Sequence, residues 1–146
     1  GAEGMVGGQM LDLLAEHTPL EMPEITRLQR MKTGALIAFS CEAGPILGKA
    51  SDAARHALRA YAHDLGLAFQ IADDLLDVEG TTEEVGKRTN KDAEAGKATF
   101  VSLLGIDRAR SQSAILADQA VEHLEMFNES AEPLRALAHY VVNRRH

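Results

Sequence analysis

The sequence predicts an all-α fold. Aromatic residues are only 4% of the chain and Trp is absent. A core must therefore be built from Leu, Ala, Ile, Met and Val, a set that suits helices better than sheets. No proline occurs from Asp52 to about Val78, a stretch that makes roughly 40 Å of helix at 1.5 Å per residue. Along it Leu58, Ala62, Leu65, Phe69, Ala72 and Leu76 recur at steps of four and three, a single apolar stripe. With 146 residues, one domain is the natural expectation, and a chain of that size hides about 68–70% of its unfolded surface.

Each element can be justified in order. Met5 to Ala15 is helical in pattern but carries Gly7 and Gly8, which either loosen a terminus or admit a second backbone. Gln9 and Asp12 share one face there. Asp12 sits between Leu11 and Leu13, so it is either paired or on a cleft wall. Pro23 opens the next helix in a favoured first-turn position. Ile25, Leu28 and Met31, then Ala35, Leu36 and Phe39, read as its inward stripe. Lys32-Thr33-Gly34 interrupts that stripe and predicts a kink. Gly44-Pro45 marks a second interruption. Ser51 is a good N-cap for the long helix, with Asp52 in its first turn. Gly80 to Lys97 is a polar loop, long enough to be functional or disordered. Ala98 to Leu104 is apolar and short, read as a helix turn. Asp107 to Phe127 is amphipathic through Ala109, Ala114, Ala117, Ala120, Leu124 and Phe127. Glu132-Pro133 starts a last helix with Leu134, Leu137, Ala138, Val141 and Val142 inward.

Several function classes are disfavoured by composition. A formal charge of −7 argues against a nucleic-acid footprint. Cys41 is the single cysteine, so no intrachain disulfide can form, and a reducing, cytoplasmic setting is the simpler reading. No apolar run approaches the roughly 20 residues of a membrane span. The two histidines of the long helix, His56 and His63, have no Cys or Glu at zinc-ligand spacing and are read as structural.

The chemistry lies near the end of the long helix, in Phe69-Gln70-Ile71-Ala72-Asp73-Asp74-Leu75-Leu76-Asp77. Asp73 and Asp77 share a face at i and i+4, and Gln70 joins it. Three carboxylates this close repel unless a cation neutralises them, and hard oxygen donors suit Mg²⁺ better than zinc. Mg²⁺ keeps several waters and is usually shared with substrate phosphates, so the cluster reads as a diphosphate site. The competing reading is a set of surface acids on a fraying helix end before Gly80. Position lowers its weight: Gly66, Gln70, Asp73 and Asp77 border the apolar stripe and do not oppose it. Lys87, Arg88, Lys91 and Lys97 follow in the loop. Gly86-Lys87 and Gly96-Lys97 pair a hinge with a cation, as a loop closing over phosphate would need. The alternative is a solvated linker of mixed charge.

Taken together, Gly8-Gln9-Met10-Leu11-Asp12, Lys32-Thr33-Gly34, the FQxxDDxxD string from Phe69 to Asp77, and the two Gly-Lys pairs resemble the trans-type isoprenyl diphosphate synthases, most closely the bacterial farnesyl diphosphate synthase-like group. The resemblance runs the length of the chain. It implies a helical bundle around a central cavity and a Mg²⁺-dependent condensation of isopentenyl diphosphate with an allylic diphosphate. Residues 1–146 would form the C-terminal portion of a single prenyltransferase domain. By resemblance Asp73, Asp74 and Asp77 are metal-site residues, with Asp73 the direct ligand and Asp77 acting through water or hydrogen bonds. Lys32, Lys87 and Lys97 bind the allylic diphosphate. Thr33 and Gln70 line the reacting centre, Phe69 stands beside the homoallylic substrate, and Gln9 and Asp12 are on the cavity wall. The basic end, Asn143 to His146, is similar to a tail that helps cover the second diphosphate.

One departure is large. The family's first aspartate-rich motif and its upstream basic residues have no counterpart here. The expectation is that an N-terminal half is missing, that the 146 residues alone do not turn over, and that the complete enzyme is a homodimer. A noncatalytic helical subunit partnering a complete synthase is the alternative. The intact lysines and all three aspartates speak against it.

Overall fold

The structure, a computed structural model, describes residues 1–17, 20–83 and 99–144. All its regular elements there are helical: α1 Met5–Ala15, α2 Met22–Gln29, a π turn Arg30–Gly34, α3 Ala35–Leu47, α4 Asp52–Glu83, α5 Phe100–Leu104, α6 Ile106–Glu122, a 3₁₀ turn Glu129–Ala131 and α7 Glu132–Asn143. The long helix α4 is the axis. The π turn, α3, α5, α6 and α7 all pack on it.

Local chemistry starts these helices where expected. Glu21 and Glu24 form a reciprocal capping box at α2, with Pro23 in the first turn. Ser51 Oγ accepts from Ala54 N at 3.2 Å and opens α4. Thr99 and Ser102 cap each other at α5. The stop after α6 is held by Arg135, whose guanidinium donates to the carbonyls of Leu124 and Phe127, both at 2.9 Å.

Two core clusters flank α4. One joins Ile25, Ala68, Ile71, Leu75, Phe100, Val101, Ala109 and Leu116. The other joins Tyr61, Leu65, Ala120, Leu124, Ala131, Ala138 and Val141. Because several helices pack on α4, its buried face is wider than the stripe the spacing predicts. Ala62, Leu65 and Ala72 are buried as expected, whereas Leu58, Phe69 and Leu76 are only partly so. Tyr61, Ala68, Ile71 and Leu75 complete the face. α4 also runs about a turn beyond Val78.

Gly8 shows why small residues open α1. A Cβ added there would lie 2.6 Å from Lys32 Cα and 2.8 Å from the Met31 carbonyl carbon. α1 therefore meets the π turn backbone to backbone, which a glycine alone permits.

Four expectations are corrected. Lys32-Thr33-Gly34 disturbs the helix as a π turn, whose wider i to i+5 spacing shifts every later side chain around the axis. Leu36 and Phe39 consequently point outward, at 51% and 71% exposure. Gly44-Pro45 does not break α3, which continues to Leu47. A proline ring holds φ near the helical value, and the end is closed by Gly48 N donating to Gly44 O at 2.8 Å and Ala50 N to Pro45 O at 2.9 Å. In α6 the inward position is Ser113, whose hydroxyl donates to Ala68 O at 3.2 Å, while Ala114 faces out. Leu137 of α7 is likewise exposed.

Candidate diphosphate site

The π turn places Lys32 opposite α1. Its ammonium lies 2.6 Å from Asp12 Oδ2, and both side chains are partly buried, so Asp12 is a paired wall residue. Thr33 follows on the same turn, half-buried, and Gln9 is exposed one turn before Asp12. The π turn packs directly on α4: a Cβ added at Gly66 would touch Gly34 Cα at 3.5 Å.

Along α4 the polar stripe runs from inside to outside. Gly66 and Gln70 are buried, while Asp73 and Asp77 are exposed. A buried amide set one turn below exposed carboxylates is how a site floor and its rim should grade. Asp74 points to the other side, where its Oδ2 accepts from Phe100 N at 3.0 Å and caps the start of α5. Of the three acids, Asp74 is thus tied to the fold. Asp73 Oδ1 takes a hydrogen bond from Arg144 Nη2 at 2.9 Å, and that guanidinium lies over the Phe69 ring at 4.4 Å from its centroid.

Lys32 carries its ion pair to Asp12 and none to the acids of α4 among the described residues. Lys87 and Lys97, with Arg88 and Lys91, lie outside the described residues, as do Arg145 and His146. No group of three or more His, Cys, Asp and Glu is gathered into a cage among the described residues. The exposed carboxylate of Asp73 already attracts a cationic group. One or two carboxylates with room for waters and phosphate oxygens is the donor set Mg²⁺ prefers, so these residues fit it.

Sequence reasoning did not find Arg144's partners or Asp64. Asp64 lies 3.0 Å from His63 Nδ1 and 2.9 Å from His123 Nε2, joining α4 to the end of α6. A separate cavity of ≈ 550 Å³ lies between the start of α1, α2, α3 and α4. Arg27, Arg30, Glu42 and Arg59 help to line it, and none of the candidate site residues does. Glu42 and Arg59 form a two-pronged ion pair there, at 2.9 and 3.0 Å. The bonded guanidinium lowers the Glu42 carboxyl below its usual value. Burial, then Glu42, raises the neighbouring Cys41 thiol.

The described helices thus carry two exposed carboxylates, Asp73 and Asp77, on α4 and a separate Lys32–Asp12 ion pair between the π turn and α1. Residues 2–137 match the family model described as polyprenyl synthetase. The chain belongs to that family. It is 43% identical over 152 residues to the farnesyl diphosphate synthase of Escherichia coli, covering 99% of this chain and 50% of that one. A crystal structure of an FPP/GFPP synthase from Zymomonas mobilis superposes with a TM-score of 0.84 at 50% identity, over 97% of this chain and 46% of that one. A Helicobacter pylori geranyltransferase, solved with magnesium and isoprenyl diphosphate, gives 0.73 at 32% identity, over 98% of this chain and 48% of that one. The chain spans about half the length, or less, of the relatives it matches. No described helix is long and apolar enough to cross a membrane.

Proposed function

We propose that this chain supplies the diphosphate-ionising portion of a prenyl-elongating enzyme of the farnesyl or geranyl type. The complete enzyme joins isopentenyl diphosphate to an allylic diphosphate, depends on Mg²⁺, and works as a cytoplasmic homodimer. The observation that carries this reading is the Gln70–Asp73–Asp77 stripe, which rises from the core of α4 to an exposed carboxylate already paired with a cation.

A Mg²⁺ ion held by these acids would supply positive charge to a leaving diphosphate. The chain's own groups do the rest. Asp73 would hold the metal, with Asp77 one turn on and Asp74 anchoring the backbone between them through Phe100 N. Lys32 adds a fixed positive charge, which Asp12 aims. Lys87 and Lys97, outside the described residues, would contribute theirs. Thr33 and buried Gln70 orient the reacting carbons, and Phe69 and Gln9 shape the wall. The Leu- and Ala-rich helices offer the carbocation no nucleophile, and exclusion of water keeps it from being quenched. The departing diphosphate takes the proton as the new double bond forms.

A first aspartate-rich motif must come from chain outside residues 1–146, so these residues alone should not turn over. The binding half of the account is tested on them directly. Calorimetry with Mg²⁺ and inorganic pyrophosphate should register binding that Asp73→Ala lowers at least about tenfold, a loss of about 1.4 kcal/mol, with helicity unchanged. Equal binding by the variant would remove Asp73 from the role and favour a noncatalytic subunit.

A further inference from the structure

The end of α7 makes a specific contact with α4. Asn143 turns its amide back to His139 O at 2.9 Å. Arg144 then leaves the helix in an extended conformation, φ −61°, ψ 139°. That change of direction carries its guanidinium across to α4, where it meets two residues one turn apart. Nη2 bonds Asp73 Oδ1 at 2.9 Å, and Cζ sits 4.4 Å above the Phe69 ring. The arrangement is asymmetric. The Asp73 side chain is 56% exposed, whereas that of Arg144 is 20% exposed, and Arg144 Nε is buried with no acceptor among the described residues. A desolvated donor without a partner is costly, so the guanidinium is held by the carboxylate and the ring and not by a complete hydrogen-bond set.

We propose that Arg144 is the resident counter-ion of Asp73, a latch that a divalent cation must displace before Asp73 can ligate it. The proposal rests on Asp73 being a metal ligand, as argued above. A Mg²⁺ ion seated about 2.1 Å from a carboxylate oxygen would stand within a few ångströms of the guanidinium that now bonds it, and two cations that close repel. Metal binding and the Arg144 contact therefore compete at Asp73. The latch lowers apparent metal affinity by its own holding factor. For one half-exposed ion pair backed by one cation–π contact, that factor is about three- to tenfold. It also keeps Asp73 from carrying an unbalanced charge beside Asp74 and Asp77 while the site is empty of metal.

The test uses the 146-residue chain with Mg²⁺ and inorganic pyrophosphate as the probe. Calorimetry should find that Arg144→Gln binds about three- to tenfold tighter than the parent. A second readout follows the tryptic cut between Arg144 and Arg145 by mass spectrometry. Mg²⁺ with pyrophosphate should speed that cut in the parent, and Asp73→Ala should reach a similar rate without metal. Unchanged or weaker binding by Arg144→Gln overturns the latch while leaving Asp73 as a ligand. A cutting rate that neither the probe nor Asp73→Ala alters overturns it as well. If parent and Arg144→Gln both fail to bind the probe, Asp73 is not the ligand, and the latch falls with that reading.

Discussion

Gly8 is the residue on which the Lys32 position depends. Its missing side chain lets α1 lie against the backbone of the π turn, and that approach brings Asp12 to Lys32. Gly8→Ala should force the two backbones apart and cost about 1–3 kcal/mol in urea unfolding. An unchanged midpoint would mean that α1 packs elsewhere. Cys41 gives a second local check. Burial raises its thiol pKa, so at pH 8.5 less of it is thiolate than in the unfolded chain. Alkylation by iodoacetamide should therefore be several-fold slower in the folded protein, and urea should abolish the difference. At this scale the sequence was informative where a residue type has few uses. The glycine pair announced a close approach, and Asp12 between two leucines announced a partner. Arg144 was legible only as part of a basic end, because its partner is 71 positions away and its route depends on where α7 stops.

The element that organises the site is α4, fixed by bonds from its neighbours. Tyr61 is fully buried and donates to Leu134 O at 2.8 Å, tying α4 to α7. Desolvation raises its phenol pKa, so it stays a neutral donor through the ordinary pH range. Tyr61→Phe should cost about 1–2 kcal/mol through loss of that bond and the orphaned carbonyl, measured by thermal unfolding. No loss would show that water replaces the hydroxyl. The start of α4 was legible from Ser51 and the absence of proline, and its polar stripe from i, i+3, i+4 spacing. The exact buried face was not, because periodicity gives the side of a helix only when one neighbour covers it. The π turn is the sharper case. Thr33-Gly34 signalled a weak point, but a kink keeps the apolar register and a π turn moves it, which is why Leu36 and Phe39 face outward.

At the scale of the whole molecule, the described helices leave much apolar surface uncovered. Val6, Met10, Leu13 and Leu14 of α1 and Leu36 and Phe39 of α3 are all at least half exposed. Such patches mark interfaces or aggregation, and relatives of about twice this length have further chain to lay on them. The 15.8 kDa chain alone should therefore sediment as more than a monomer at micromolar concentration. The family was legible from motif strings spread along the chain, since each string joins residues whose chemistry is needed together. The positions of Lys87 and Lys97, outside the described residues, were not, because long polar segments carry no periodicity to place them. The central claim is that these residues are the diphosphate-ionising portion of a prenyl-elongating enzyme. Its most direct test mixes this chain with the portion of the Zymomonas mobilis synthase that it does not cover, and measures condensation of isopentenyl and geranyl diphosphates. The account predicts Mg²⁺-dependent product from the pair, none from either piece, and loss of about a hundredfold or more with Asp73→Ala, the scale of removing one charge-stabilising group. A stable pair that makes no product, or one in which Asp73→Ala turns over like the parent, would contradict it.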